Sequence, residues 1–173
     1  MKTGYLVFVL LYLLGLMIRA VYEQLKKRAR VDPTNRITFT IVFLGMCLLW
    51  ASWFNMCPLD PIHLSLPSFA KWAGFFLFAA GLGLAIGTVI QLRGVENIDH
   101  LVTKGLFSKI RHPMYVGFIF WIFGWAIYHA ALVSLFLGLV AIGNIFHWKR
   151  SEETELESVY GETYLEYRKR TWF

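Results

Sequence analysis

The stretch KIRHPMYVGFIFWIFGWAIYHAAL, Lys109 to Leu132, decides how this chain is read. Arg111, His112 and Pro113 open an apolar run that continues to Tyr128, and a second apolar run begins after the thin break at His129 and Ala130. Charge is costly inside a bilayer, so the polar triplet belongs at a membrane surface and not within the lipid. Proline suits the first turn of a helix, where its missing N–H has no partner to lose. The pattern therefore predicts a helix that starts at the surface and a tight helical hairpin made with the run that follows.

The rest of the chain agrees. Its 173 residues are 57% hydrophobic and 17% aromatic, with mean hydropathy +0.54, too apolar for an ordinary soluble domain. A bilayer core of ~30 Å needs ~20 apolar helical residues. Five runs qualify or come close: Gly4–Tyr22, Ile37–Phe54, Phe69–Leu92, the short Met114–Tyr128, and Ala131–Trp148. We expect an all-α polytopic integral membrane protein of about five transmembrane helices. It reads as one domain, residues 1–173, with three N-terminal spans (1–92), a loop and helical hairpin (93–150) and C-terminal helices (151–173). The first run has Lys2 before it and a basic cluster after it, with no convincing small-residue cleavage site, so it reads as an uncleaved anchor.

Basic residues set the orientation. Glu23–Arg36, Gln91–Arg111 (Arg93, Lys104, Lys109, Arg111) and the tail after Trp148 are rich in Lys and Arg, whereas Asn55–Ala70 has none. With lysine and arginine favouring cytoplasmic loops, five spans put the N-terminus outside and the C-terminus inside. The net charge of +6 then reflects topology and anionic lipid headgroups, and nucleic acid is not an expected partner. Cys47 and Cys57 match no metal or redox spacing and read as packing residues. Gly83 and Gly87 form a GxxxG pair suited to close helix packing.

The tail from Ser151 to Phe173 is charged, yet Leu156, Tyr160, Tyr164 and Tyr167 recur at three- and four-residue steps. That is one face of an amphipathic helix, interrupted at Gly161, and it reads as an interfacial helix or a lid over the cytoplasmic mouth. If the last two runs form a hairpin, Arg111, His112, Tyr115, Arg150, Glu152 and Glu153 can surround one pocket there. A helix N-terminus suits a carboxylate or phosphate, and the glutamate pair suits an amine, a diol or another cation. A ligand carrying both charges, such as an amino-acid-bearing cofactor, satisfies both walls. Asn144 inside the fifth run is a candidate substrate contact, since polar residues in spans often face a partner helix or cavity. The five histidines include no HxxxH or HxxHH cluster, which argues against a di-iron oxygenase or zinc protease, and no GxSxG supports a serine hydrolase.

Four segments carry a family resemblance: His100–Phe107 (HLVTKGLF), Arg111–Gly117 (RHPMYVG), Glu152-Glu153, and Tyr160–Tyr167 (YGETYLEY). In this order, over about the last 75 residues, they resemble the isoprenylcysteine carboxyl methyltransferase family, whose wider relatives include membrane phospholipid N-methyltransferases. The resemblance implies a small helical membrane enzyme using S-adenosylmethionine at the cytoplasmic face, with a lipophilic acceptor entering from the bilayer. It aligns Leu101, Val102, Gly105, His112, Pro113, Tyr115 and Gly117 with the cofactor segment. Glu152 and Glu153 align with the acidic pair, and Tyr164 and Tyr167 with the closing helix. Arg111 joins the cofactor side through the pocket reading. Phe107 stands where Tyr is frequent, Tyr160 where Phe is usual, and Lys149 and Arg150 compete for an arginine that often precedes the acidic pair. A carboxylate acceptor is already nucleophilic and needs only a cation such as Arg150 to hold it. An amine or thiol acceptor must lose a proton, for which Glu153 is the candidate base. Two other readings compete: an NADPH-dependent sterol or isoprenoid reductase, and a membrane scaffold without catalysis.

Overall fold

The computed structural model describes residues 3–32, 35–92 and 100–173; Lys2 and Arg93, used above in reading the topology, lie outside them. Six α-helices follow in order: α1 (Thr3–Lys27), α2 (Arg36–Met56), α3 (Ser68–Leu92), α4 (Pro113–Tyr128), α5 (Leu132–Tyr160) and α6 (Glu162–Lys169). Two short 3-10 turns, Cys57–Leu59 and Gly105–Ser108, punctuate the connections. α1, α2, α3 and α5 are long and apolar enough to cross a membrane, while α4, at 16 residues, is shorter. The chain is an all-α integral membrane protein, as the hydropathy pattern predicts.

The helices pack as two antiparallel pairs joined through aromatic residues. In α1, Tyr5, Tyr12, Leu16 and Tyr22 are buried along one stripe. Gly15 lets α2 come so close that a Cβ there would stand 2.7 Å from Leu49 Cβ. α2 begins where Asn35 Oδ1 accepts from the amides of Ile37 (2.8 Å) and Thr38 (3.4 Å), an N-cap that satisfies two orphan donors.

The α3–α4 pair is tighter. Gly74 and Gly81 of α3 meet Gly124 and Gly117 of α4, and a Cβ on Gly81 would fall 2.7 Å from Trp121 N. This corrects the GxxxG reading. Gly83 has open space around it and Gly87 meets a Leu106 methyl at 3.2 Å, so the GxxxG pair does not make the helix contact; glycines seven residues apart do. Seven residues are nearly two full turns, so they share a face as well as a four-residue step does. Gly117, which the resemblance aligns with the cofactor segment, sits in this helix contact. Trp50 and Phe54 of α2, Phe78 of α3, and Trp121 and Trp125 of α4 then fill the centre, with Phe54 stacked on Trp121 at 5.1 Å. The Trp125 indole N–H donates to Phe54 O at 3.2 Å, satisfying its one polar atom.

At the end opposite the basic residues, the loop after α2 is ordered. Buried Asp60, 2% exposed, accepts from Ile62 N (2.9 Å), Val133 N (3.4 Å) and Ser134 N (2.6 Å), capping the start of α5. Leu64 N and Leu132 N bond across to Ala130 O and Ile62 O, locking the loop onto the α4–α5 hairpin. Cys57 is buried as a packing residue, but Cys47 is exposed on α2 and packs against nothing interior. α5 does not stop at Trp148, where its apolar stretch ends; it continues as one helix through the glutamates to Tyr160. The break falls at Gly161, whose positive φ of 51° suits glycine, and α6 then turns back.

Candidate functional site

The mouth is built from the first turn of α4 outward. Pro113 occupies the first helical position, and His112 precedes it in a non-helical conformation (φ −124°, ψ 64°) with no side-chain cap bond. Its imidazole is therefore free to turn inward. The ring is 6% exposed and stacks on Tyr115 at 5.4 Å. It lies between two carboxylates: Nδ1 stands 3.6 Å from Glu152 Oε2, and Nε2 3.3 Å from Glu153 Oε1. The second approach lacks hydrogen-bond alignment, so Nε2 is buried without a hydrogen-bond partner among the described residues.

Arg111 faces elsewhere. Its Nε donates to Glu153 Oε1 at 3.1 Å, and Nη1 donates to the carbonyls of Arg168 (3.1 Å) and Thr171 (2.6 Å). Its backbone amide bonds to Trp172 O (3.0 Å), while Trp172 N reaches Lys109 O (2.8 Å). Arg111 is thus a clamp that straps the C-terminal tail to the entrance of α4. α6 is held down by a second tie, from the Tyr167 hydroxyl to Phe107 O at 2.7 Å. The loop that supplies Phe107 is pinned in turn to the end of α3, where the Gln91 side chain donates to Lys104 O (2.6 Å) and accepts from Leu106 N (2.9 Å). Gly105 makes this turn with φ +60°, against the Gln91 amide. Gln91 is a supporting residue that no motif marked.

Beneath this strap lies a cavity of about 690 Å³, within the range of small-molecule sites. Leu101, Val102, Arg111, His112, Tyr115, Glu152, Tyr164 and Tyr167 of the expected set all line it. Gly105, Pro113 and Gly117 do not line it. Trp148, Glu152, Glu155 and Val159 make a stripe along α5 at helical spacing. Arg150 lies off this stripe, some 200° around the helix from Glu152, and is exposed. Asn144 turns its amide back onto Val140 O at 3.0 Å and does not line the cavity. The sequence reading expects both at the pocket, and the structure brings neither to its lining. Glu153 is engaged by Arg111, His112 and, at 3.5 Å, Lys149, and it does not line the cavity.

The fourth wall is the unexpected one. Arg19, Tyr22, Glu23 and Lys26 at the end of α1 line the cavity, although the sequence gives α1 only the character of an anchor. Arg19 pairs with Glu23 at 2.6 Å, and its guanidinium lies 5.3 Å from the Tyr22 ring and 5.1 Å from the Trp148 ring.

The charged end of α5 lies beyond its apolar stretch, and its acids titrate low. Burial works against ionisation of both glutamates; for Glu152 the hydrogen bond and charge of His112 outweigh it, and for Glu153 the Arg111 hydrogen bond and the Lys149 charge do. Glu152 nevertheless keeps 48% of its side-chain surface accessible, because it borders the open cavity. Tyr164 is fully buried, its hydroxyl pushed up to about 12 by burial and then by the Glu153 charge, and that hydroxyl has no hydrogen-bond partner among the described residues.

With this geometry in place, comparison with known proteins is informative. The phospholipid methyltransferase family model matches residues 69–163, more than half of the chain. The chain belongs to the phospholipid methyltransferase family. The matched segment runs from α3 into α6 and carries the loop, the α4 entrance and the glutamate pair; α1 and its cavity wall lie outside it. Among curated relatives, the protein-S-isoprenylcysteine O-methyltransferase of Schizosaccharomyces pombe is 38% identical over 77 residues, 43% of this chain and 33% of the relative. The Rattus norvegicus protein of the same name is 33% identical over 115 residues, 55% and 39% of the two chains. Protein-S-isoprenylcysteine O-methyltransferase B of Arabidopsis thaliana is 30% identical over 89 residues, 51% and 45%. The matched regions thus span less than half the length of these relatives. No solved structure matches the chain.

Proposed function

We propose that this chain transfers a methyl group from S-adenosylmethionine to a lipophilic, anionic acceptor at the cytoplasmic membrane face, with its N-terminus outside and its C-terminus cytoplasmic. The observation that carries the reading is the strapped cavity, which places His112, Glu152 and the buried Tyr164 hydroxyl around one ligand-sized space. His112 and Tyr164 both line the cavity, and we read their buried Nε2 and Oη, which lack hydrogen-bond partners among the described residues, as atoms that a polar ligand would engage. A ligand-sized cavity under the tail also counts against the scaffold reading. Family membership supports methyl transfer over nicotinamide chemistry.

S-adenosylmethionine supplies an electrophilic methyl: the acceptor's lone pair forms the new bond to carbon while the C–S electron pair returns to sulfur, leaving a neutral thioether. The protein's share is alignment and exclusion of water. Glu152 offers an ionised carboxylate to a ribose or an ammonium group. His112 is held between the glutamates and presents its edge to the ligand. Leu101, Val102 and Tyr115 give apolar and aromatic walls, while Tyr164 and Tyr167 on α6 close the mouth. Glu153, the candidate base of the sequence reading, is tied to Arg111 and Lys149 and lies against His112, and we assign the accessible Glu152 to the cofactor. That favours an acceptor needing no general base, a carboxylate or other anionic oxygen, and accords with the O-methyl transfer to isoprenylcysteine in the names of the relatives.

The test is binding by the purified full chain in detergent. S-adenosylhomocysteine raises its thermal stability by mass action, and His112→Ala reduces that gain. If S-adenosylhomocysteine leaves wild type unshifted while NADPH shifts it, the methyltransferase reading is wrong.

A further inference from the structure

The cavity has an acidic wall on α5 and a basic wall on α1, and the basic wall lies outside the family match. Its cations differ in how they are held. Lys26 keeps 38% of its side chain exposed and reaches Glu155 at 3.9 Å. Lys27 Nζ meets His147 Nε2 at 3.1 Å in an exposed contact. Arg111 is consumed by the tail strap. Arg19 alone among these is both part-buried, with 18% of its side chain exposed, and fixed by two aromatic rings, Tyr22 and Trp148. Ring stacking orients a planar guanidinium, and its fork suits bidentate capture of a carboxylate or phosphate.

Its present partner is Glu23, four residues on along the same helix at 2.6 Å, in the less favourable order of cation before acid. A ligand anion reaching the guanidinium would compete with that carboxylate. Position matters too. Trp148, which flanks the guanidinium, ends the apolar stretch of α5, so Arg19 marks the level where lipid gives way to the charged mouth. An amphiphile entering from the bilayer presents its polar head at this level. The fields of Arg19 and Glu23 reach the Tyr115 phenol, so this wall and the α4 entrance share one electrostatic environment.

We propose that Arg19 is the anion-reading residue of the acceptor side: it holds the carboxylate or phosphate of an amphiphilic acceptor, with Glu23 standing in for that anion when the site is empty. The inference rests on the methyl-transfer reading above and supplies the acceptor cation that sequence alone assigns to Arg150, whose side chain lies outside the cavity.

The experiment measures binding to the full chain in detergent with two matched probe pairs: S-farnesylcysteine against its carboxamide, and phosphatidic acid against diacylglycerol. S-adenosylhomocysteine binding is followed in parallel. Wild type is expected to prefer the anionic member of at least one pair by about tenfold or more, and the pair that shows it identifies carboxylate or phosphate as the head. Arg19→Gln abolishes the preference with S-adenosylhomocysteine binding retained, Arg19→Lys keeps part of it, and Arg150→Gln keeps all of it. Glu23→Gln frees the guanidinium and strengthens the preference, a gain that does not depend on how well Arg19→Gln folds. The proposal is overturned if wild type shows no preference in either pair, if Arg19→Gln keeps it, or if Arg150→Gln loses it. Loss of S-adenosylhomocysteine binding in wild type would sink the methyltransferase reading while leaving the anion preference to be judged by itself.

Discussion

Tyr164 shows what a single side chain can report. It is fully buried, yet its hydroxyl bonds to nothing among the described residues. A hydrogen bond to a ligand is worth about 0.5–1.5 kcal/mol net. Tyr164→Phe should therefore weaken S-adenosylhomocysteine binding roughly three- to tenfold while leaving the melting temperature of the unliganded protein almost unchanged. Isothermal titration beside a thermal melt separates the two quantities; equal affinity in both proteins would show that the hydroxyl is not a ligand contact. His112 and Glu152 are legible in the sequence because they stand where apolar runs meet the charged mouth, and Tyr164 through the family resemblance of the tail. Arg19 is not. Nothing in the spacing of α1 tells which of its faces meets α5, and only the fold sets the guanidinium beside Trp148. Arg150 fails for the complementary reason: nearness to Glu152 in sequence is opposition around a helix.

Among the elements, the α3–α4 pair is held at backbone distance by glycines. A methyl on Gly81 meets backbone atoms that have no room to move, whereas one on Gly83 meets open space. Overpacking of this kind costs roughly 1–3 kcal/mol, so Gly81→Ala should lower the unfolding midpoint markedly. Gly83→Ala should leave it unchanged or raise it slightly, since alanine is the better helix former by about 0.5–1 kcal/mol. Equal melts for the two variants in one detergent would refute the packing account. The α5–α6 junction yields a second prediction. Glu153 titrates below its ordinary value of 4.5 and anchors Arg111, which straps the tail. A carboxylate depressed in the folded state contributes stability that is complete above its unfolded value and is lost as pH falls through the folded value. Tail docking should therefore hold from neutral pH down to about that ordinary value and loosen below it. Limited proteolysis after α5 across a pH series reads this directly, and in Glu153→Gln cleavage should be faster at neutral pH and flatter in its acid dependence. The sequence marks the break at Gly161 but ends the fifth apolar run at Trp148. Hydropathy sees where a helix leaves lipid, not where it stops, and the residues from Ser151 to Tyr160 keep the helix going in water.

For the whole molecule, the alternation of helices brings one kind of end together. The C-terminal ends of α1, α3 and α5 and the start of α4 meet at the cavity, with Lys26, Lys104, Arg111 and Lys149 among their basic residues. The opposite end carries the Asp60 loop, where the nearest basic residue among those described is Lys71 at the start of α3. Alternating apolar runs and basic loops make this up-and-down arrangement readable in the sequence. Hydropathy does not reveal that α4, 16 residues and about 24 Å long by helix rise, runs antiparallel to α3 through the glycine contacts and so still joins both ends. The charge asymmetry predicts that the cavity end is cytoplasmic. Ser65 in the loop between α2 and α3 and Ser158 near the end of α5 are both exposed, so each accepts a reporter cysteine once Cys47 and Cys57 are replaced. In intact cells a membrane-impermeant maleimide should label Ser65→Cys and spare Ser158→Cys, which becomes reactive only after permeabilisation. The reverse pattern would place the cavity on the outer face, away from any cytoplasmic supply of S-adenosylmethionine, and would overturn both the orientation and the proposed methyl donor.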